Sequence, residues 1–256
     1  MIVKLQGGLG NQLWGFAFGI SVATKRKAEL FFDKSSFQTD TLRHYELDAY
    51  DLDIQFAEPR GPQYNEKDFT FDSGVYDAPP SSVFNGYWQN EKYLDKDWVR
   101  YLLRTPRGYP NEACIKQARI IQDSQNTCFI GVRRADYLLP ERLKFHGVLP
   151  KEYYLYAALQ FPTEWNMSFG IFTDDIPWCQ ENLPNFPIVN VNGPDEKHWD
   201  IWLMSLCQHA IIANSTFHWW GAYLGADKNG GKVIGPKKWF ANGMKNEVIP
   251  RRWITL

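Results

Sequence analysis

Residues 1–32, MIVKLQGGLGNQLWGFAFGISVATKRKAELFF, decide the architecture. Residues 2–5 form a short apolar run that predicts a strand, and Gly7, Gly8 and Gly10 predict a tight turn. Residues 12–27 repeat apolar side chains three and four apart, which predicts a helix, and residues 28–32 predict a second strand. Strand, glycine turn, helix and strand in that order open a parallel α/β layer whose helices cover the sheet. The first five residues run straight into the turn, without the basic region and long apolar stretch of a leader or membrane anchor, so the chain is expected to be cytoplasmic.

The same alternation returns further along. A strand starts at Val83 and ends in the stretch FNGYW, and residues 90–103 read as a helix. The cluster TPRGYP at 105–110 then reads as a linker, dividing the chain into domains 1–108 and 109–256. In the second domain helices are expected at 112–123, 151–160, 175–182, 199–209 and 217–224. Strands are expected at 128–133, 168–173, 188–191, 210–213 and 232–234. Residues 35–80 show no sustained period. Ligands of open parallel sheets collect at the carboxyl ends of strands, so chemistry is expected just after Leu5, Val132, Phe172 and Ala213.

Composition narrows the partners. With 28 Lys and Arg against 29 Asp and Glu, the net charge is −1, and no long-range field gathers polyanions; nucleic acid is not an expected partner. The 11 Trp, 13 Tyr and 17 Phe suit either stacking on nucleobases and sugar faces or a large aromatic core. Cys114, Cys128, Cys179 and Cys207 have neither close pairing nor metal-type spacing, and read as free thiols.

Four strand ends carry candidate chemistry. Arg133 and Arg134 leave the apolar run FIGV and must find anions, either a diphosphate or an internal partner such as Asp136; the expectation is one structural arginine and one free for phosphate. Asn214, Ser215 and Thr216 precede a helix at Phe217, so Ser or Thr caps it, and the first-turn N–H groups can also receive a phosphate. Asp174 and Asp175 are adjacent and would point apart in an extended chain, so a helix-capping role is favoured over a metal. Asp51 with Asp53 and Asp95 with Asp97 have one-residue spacing but lie in no strand-end loop, and no metal is expected. Gly7, Gly8 and Gly10 with Asn11 permit close backbone approach to a sugar, but their spacing is not the dinucleotide fingerprint.

An ordered set of segments carries a resemblance across nearly the whole chain: GGLGNQL at 7–13, GYWQ at 86–89 with EKY at 91–93, VRRADY at 132–137, HGVL at 146–149, FTDD at 172–175, DIWLMSLC at 200–207 and IANSTFHWWGAYL at 212–224. In that order they resemble the bacterial-type α-1,2-fucosyltransferases of glycosyltransferase family 11. The resemblance implies a GT-B-like α/β fold: two facing Rossmann-like domains with parallel sheets and a cleft between them, the acceptor on the first domain, the GDP-sugar on the second, and a C-terminal segment returning to the first. It implies an inverting enzyme that moves L-fucose from GDP-β-L-fucose to a galactoside 2-hydroxyl, with a glycan acceptor, no cofactor and no metal, cytoplasmic or peripheral at a membrane where glycans are assembled.

The same resemblance distributes roles. Arg133 grips the β-phosphate, with Arg134 beside it and Asp136 bracing the loop; Asp200 reads guanine; Ser215, Thr216 and Phe217 form the phosphate turn; Gly8, Gly10 and Asn11 approach the sugar, and Asp174 lies at the donor. Asp33, His146 and Asp174 are candidate bases. Three positions depart from the family pattern: Gly131 stands where a histidine is usual, Ala135 where glycine is usual, and Trp14 is bulkier than the common residue. The chain is also shorter than typical members, which implies a trimmed acceptor region. Rival readings are a transferase for another GDP-sugar, a carbohydrate-binding protein without catalysis, and a nucleotide-binding regulator.

Overall fold

The computed structural model describes residues 1–256. They form two compact units: Met1–Arg107 with Met244–Pro250, and Gly108–Gly243 with Arg251–Leu256.

The first unit contains β1 (Ile2–Lys4), α1 (Leu9–Arg26), β2 (Phe31–Asp33), β3 (Gln63–Asn65), β4 (Val83–Asn85) and α2 (Lys96–Leu103). Its four strands are all parallel, in the order β2-β1-β4-β3. Helix α1 starts inside the glycine turn. Gly7 turns the chain with φ +73°, and the N–H groups of Asn11 and Gln12 both donate to the Gly8 carbonyl at 2.9 and 3.1 Å, so Gly10 and Asn11 are helical. At the other end Lys27 takes the left-handed conformation, φ 52°, and its N–H closes on the carbonyls of Ala23 and Thr24. That cap consumes the residues expected to open the second strand, which shrinks to Phe31–Asp33.

The helix expected over 90–103 is broken in two. Residues Glu91–Tyr93 make a single 3-10 turn, and α2 begins afresh because the Asp95 side chain accepts from Trp98 N while its own N–H donates to Ser21 Oγ. Asp95 is thus a capping residue. The aromatic excess is core in this unit. Phe18 stacks on Trp88 at 4.3 Å, Phe16 on Phe32 at 5.7 Å, and Trp14, Phe84 and Trp88 are fully buried. Burying a side chain such as Phe18 contributes roughly 1.5–3 kcal/mol.

The second unit contains α3 (Glu112–Asp123), β5 (Thr127–Val132), α4 (Pro140–His146), α5 (Lys151–Ala158), β6 (Ser168–Thr173), α6 (Ile176–Asn182), α7 (Lys197–Ser205), β7 (His209–Ile211), α8 (Thr216–Leu224), β8 (Val233–Gly235) and β9 (Ile254–Thr255). Its five strands are again all parallel, ordered β6-β5-β7-β8-β9. Every residue of β5 is buried, as a central strand covered on both faces requires. Segment 188–191 is not a strand. It touches β6 through one bridge, Ile171 to Ile188, and Pro187 just before it has no N–H to extend the ladder.

Helix α8 is buried on nearly all sides: Trp219, Trp220 and Tyr223 are fully enclosed, and Gly221 lets it lie on α7, since a Cβ there would come within 2.7 Å of Met204 Cβ. The four cysteines are buried and free. No helix is long and apolar enough to cross a membrane.

Candidate functional site

In the second unit the loops after β5, β6 and β7 lie at the carboxyl edge of adjacent strands, and Ala213 N donates to the Gly131 carbonyl at 3.1 Å just below them. Arg133 leaves β5 with its guanidinium on two carboxylates: Asp136, and Asp174 at 2.6 Å. Arg134 donates through Nε to Asp175 at 3.1 Å, lies 4.2 Å over the Trp178 ring, and gives its backbone N–H to Asp174 at 2.8 Å. Asp136 also pairs with Arg142 of α4. Three guanidiniums therefore interlock with three carboxylates. This corrects the expectation of one free arginine, because Asp136, Asp174 and Asp175 between them engage both.

The pairing does not exhaust Arg133. A guanidinium has five N–H donors, and its side chain keeps 24% of its exposure, so an incoming anion can add to it or displace a carboxylate. Around it the loops are tied together. Tyr137 stacks on His146 at 4.3 Å and donates to the Asn214 carbonyl at 3.2 Å, while Asn214 Nδ2 donates to the carbonyls of His146 and Trp239. Ser215 stands at the N-cap of α8 in an extended conformation without capping through its side chain; this corrects the expected Ser cap. The actual cap in this region is Asp175, whose carboxylate accepts from Trp178 N at the start of α6. Thr216 and Phe217 form the first turn of α8, and His218 follows, 4% exposed.

Asp200 sits in the first turn of α7, which leads back into β7, so this helix start lies on the same edge of the sheet. It accepts one hydrogen bond, from Asn192 at 2.6 Å, and burial pushes its carboxyl up to about 6. Asn111, the cap of α3, orders that corner by donating to Val191 O, Asn192 Oδ1 and Glu196 Oε2.

The first unit presents a different edge. Gly7 leaves no room for a side chain, because a Cβ there would fall 2.5 Å from Asn11 Nδ2. Asn11 Oδ1 accepts from Gln89 Nε2 at 3.0 Å, and Gln6 Nε2 donates to the Gly86 carbonyl at 3.0 Å. Gln12, fully buried, fastens the turn by donating to the carbonyls of Gly7 and His44 and accepting from Glu46 N. Glu66, just past β3, accepts from Tyr87 N at 2.6 Å and Trp88 N at 3.0 Å, and burial pushes its carboxyl up to about 7.

The candidate bases fare poorly. Asp33 spends both oxygens on Ser35, Asp174 spends both on the arginine pair, and burial with the Arg142 charge pulls His146 down to about 4. Glu66 and His218 are the titratable groups that sequence reasoning passed over. Glu66 lies in the stretch without period, and His218 lies inside a recognised segment but had no assigned role. No group of three or more His, Cys, Asp or Glu side chains is arranged to hold a metal ion.

Comparison with known proteins places the chain in a family. The family model for glycosyl transferase family 11 matches residues 78–256. The O-antigen biosynthesis glycosyltransferase WbnK of Escherichia coli is 37% identical over 98% of this chain and 99% of its own length. The alpha-1,2-colitosyltransferase of Escherichia coli is 29% identical over 100% of this chain and 98% of its own. Among solved structures, NodZ alpha-1,6-fucosyltransferase soaked with GDP-fucose aligns with a TM-score of 0.56 over 96% of this chain and 98% of that one, at 12% identity, and so shares the GT-B-like fold of two parallel-sheet α/β units. The family match, spanning the whole second unit, and full-length similarity to WbnK make this chain a glycosyltransferase belonging to family 11.

Proposed function

We propose that the chain transfers L-fucose from GDP-β-L-fucose to a galactoside 2-hydroxyl, forming an α-1,2 linkage with inversion. The observation that carries this reading is the arginine–carboxylate lock at the carboxyl edge of the second sheet, beside the start of α8. In the reaction the acceptor oxygen bonds to the anomeric carbon, the bond from that carbon to the β-phosphate oxygen breaks, and its electron pair leaves on GDP while the acceptor hydroxyl gives its proton to water. Negative charge grows on the diphosphate as an oxocarbenium-like centre passes through.

Arg133 and the first-turn N–H groups of α8 bind that charge more strongly as it grows, which lowers the barrier without a cation. Arg134, held by Asp175 and Trp178, anchors the loop, and Asp136 and Asp174 pre-orient Arg133 for the leaving group. Asp200, half-buried and hydrogen-bonded by Asn192, suits the paired ring N–H and amino group of guanine. On the first unit, Gly8, Gly10, Asn11 and Gln89 present neutral amides suited to sugar hydroxyls. Buried free thiols in both the strand and helix layers fit a reducing, cytoplasmic setting.

The full-length similarity to a colitosyltransferase favours one second reading, GDP-colitose as donor. Colitose is fucose without the 3-hydroxyl. Side-by-side turnover of GDP-fucose, GDP-colitose and GDP-mannose on a β-galactoside, with the product linkage determined, decides between them. Fucose α-1,2-linked to galactose is the expected product; turnover of GDP-colitose alone selects the second reading, and turnover of none rejects both.

A further inference from the structure

The second unit holds a buried histidine outside the arginine–carboxylate lock. His218 is on the first turn of α8, 4% exposed, and its Nδ1 is buried without any hydrogen-bond partner. Its ring lies flat against the one residue of β5 that could not carry a side chain there: a Cβ on Gly131 would fall 2.4 Å from His218 Cγ, 2.6 Å from Nδ1 and 2.7 Å from Cδ2. Gly131 is two residues before Arg133, whose charge reaches the imidazole and, after burial itself, disfavours its protonation; burial and that charge bring the ring down to about 3. A neutral imidazole has one N–H and one lone pair on separate nitrogens, and whichever of them Nδ1 carries has no partner in the protein.

A side chain chosen only to fill the space against Gly131 would be apolar, because an imidazole buried without partners forfeits hydrogen bonds that an apolar ring does not need. The three features coincide at one place: an imidazole with an unpartnered Nδ1, a strand residue with no side chain in its way, and the arginine assigned to the leaving group.

We propose that His218 is a donor-site residue, its neutral imidazole pressed through the Gly131 gap to hydrogen-bond the diphosphate beside Arg133. This rests on the GDP-sugar reading above. Gly131 and His218 then form a size-matched pair: the strand gives up a side chain, and the helix supplies the ring in its place.

The test uses GDP as the probe, with affinity measured by calorimetry and folding by thermal melting. His218→Phe keeps the ring volume and removes the hydrogen bond; it is expected to weaken GDP binding about tenfold with the melting temperature held or raised, and to lower kcat more than it raises the acceptor KM. His218→Asn, with an amide donor, is expected to recover part of that loss. Moving the ring to the strand, Gly131→His with His218→Ser, should recover more affinity than either single substitution, since Gly131→His alone collides with His218. If wild-type protein binds GDP and His218→Phe binds it equally well, this inference is overturned and the donor reading stands. If wild-type protein fails to bind GDP, both fall.

Discussion

The two sheets end in opposite chemistry. At the carboxyl edge of the second, Arg133, Arg134 and Arg142 interlock with Asp136, Asp174 and Asp175, so full charges are stored in fixed positions before any ligand arrives. At the carboxyl edge of the first, the side-chain amides around the glycine turn bond neutral groups, Asn11 with Gln89, Gln6 with a carbonyl and Gln12 with two more, while the buried carboxylate of Asp33 is engaged by Ser35 and Arg43 lies against Gly8. Its half-buried carboxyl, Glu66, is pushed up to about 7, so at neutral pH it carries only about half a charge. Both edges belong to parallel sheets of the same kind, so the fold does not dictate the difference. On the proposed function this difference sorts the substrates: a charged lock matches a leaving diphosphate, and an amide-rich edge matches uncharged hydroxyls.

The harshest test removes the charge. Arg133→Ala is expected to lower kcat by about 10²- to 10³-fold, the usual cost of losing one donor aimed at developing negative charge. Thermal melting should stay near wild type, because Arg134 with Asp175 and Arg142 with Asp136 still hold the loop. Arg133→Lys should recover only a small part, since an ammonium cannot fork across two acceptors. Excess EDTA should leave turnover unchanged. Near-normal GDP release from Arg133→Ala, or turnover that stops in EDTA and returns with Mg²⁺, would break the assignment of charge to the second edge.

A gentler test reads the first edge through pH. Glu66 has a folded value of about 7 against an ordinary 4.5, so the folded chain holds its proton more tightly. The associated stability is complete below about 4.5 and is lost as pH rises through about 7, on the order of 3 kcal/mol at most. His146 and His218, drawn down to about 4 and about 3, work in the opposite sense, since the unfolded chain binds their protons first; stability from them grows as pH rises toward 6.5. The wild-type curve sums opposed trends, so the informative quantity is a difference. The melting temperature of Glu66→Gln minus that of wild type should climb steadily between pH 4.5 and 8. A flat or falling difference would mean that Glu66 is an ordinary solvated carboxylate and the first edge is charged after all.

Much of this was legible in the order of the residues, and the illegible parts have physical causes. Helix α3 and strand β6 were placed to the residue because a helical period and an apolar run are plain there. Helix α4 was missed, although Pro140 at its first position and Gly147 at φ +70° bracket it, because seven residues are too few to display a period. Strands β3 and β9 were missed because three and two residues cannot alternate visibly. At the site, Arg133 and Asp136 stood out as charges leaving a buried strand. Glu66 could not, since its partners are the N–H groups of Tyr87 and Trp88, 21 and 22 residues away in sequence and brought close by β3 pairing with β4. His218 was hidden for the same reason: its meaning lies in the missing side chain of Gly131, on a different element.

The mildest substitution separates the two edges most cleanly. Asn11 stands in the first turn of α1, its amide oxygen held by Gln89 and its amide nitrogen over Gly7. If this edge serves the acceptor, Asn11→Ala deletes one neutral hydrogen bond to a sugar hydroxyl, worth about 1.5 kcal/mol, and the acceptor KM should rise about tenfold. GDP affinity should stay within about twofold of wild type, because no charge has been removed. Gln89→Leu, which removes the Gln89 hydrogen bond but keeps Asn11, should raise the same KM less, through lost alignment alone. The comparison fails if GDP affinity falls as far as the acceptor KM rises. The first edge would then also bear on the diphosphate, and the division of labour between a charged sheet and a neutral one would have to be given up.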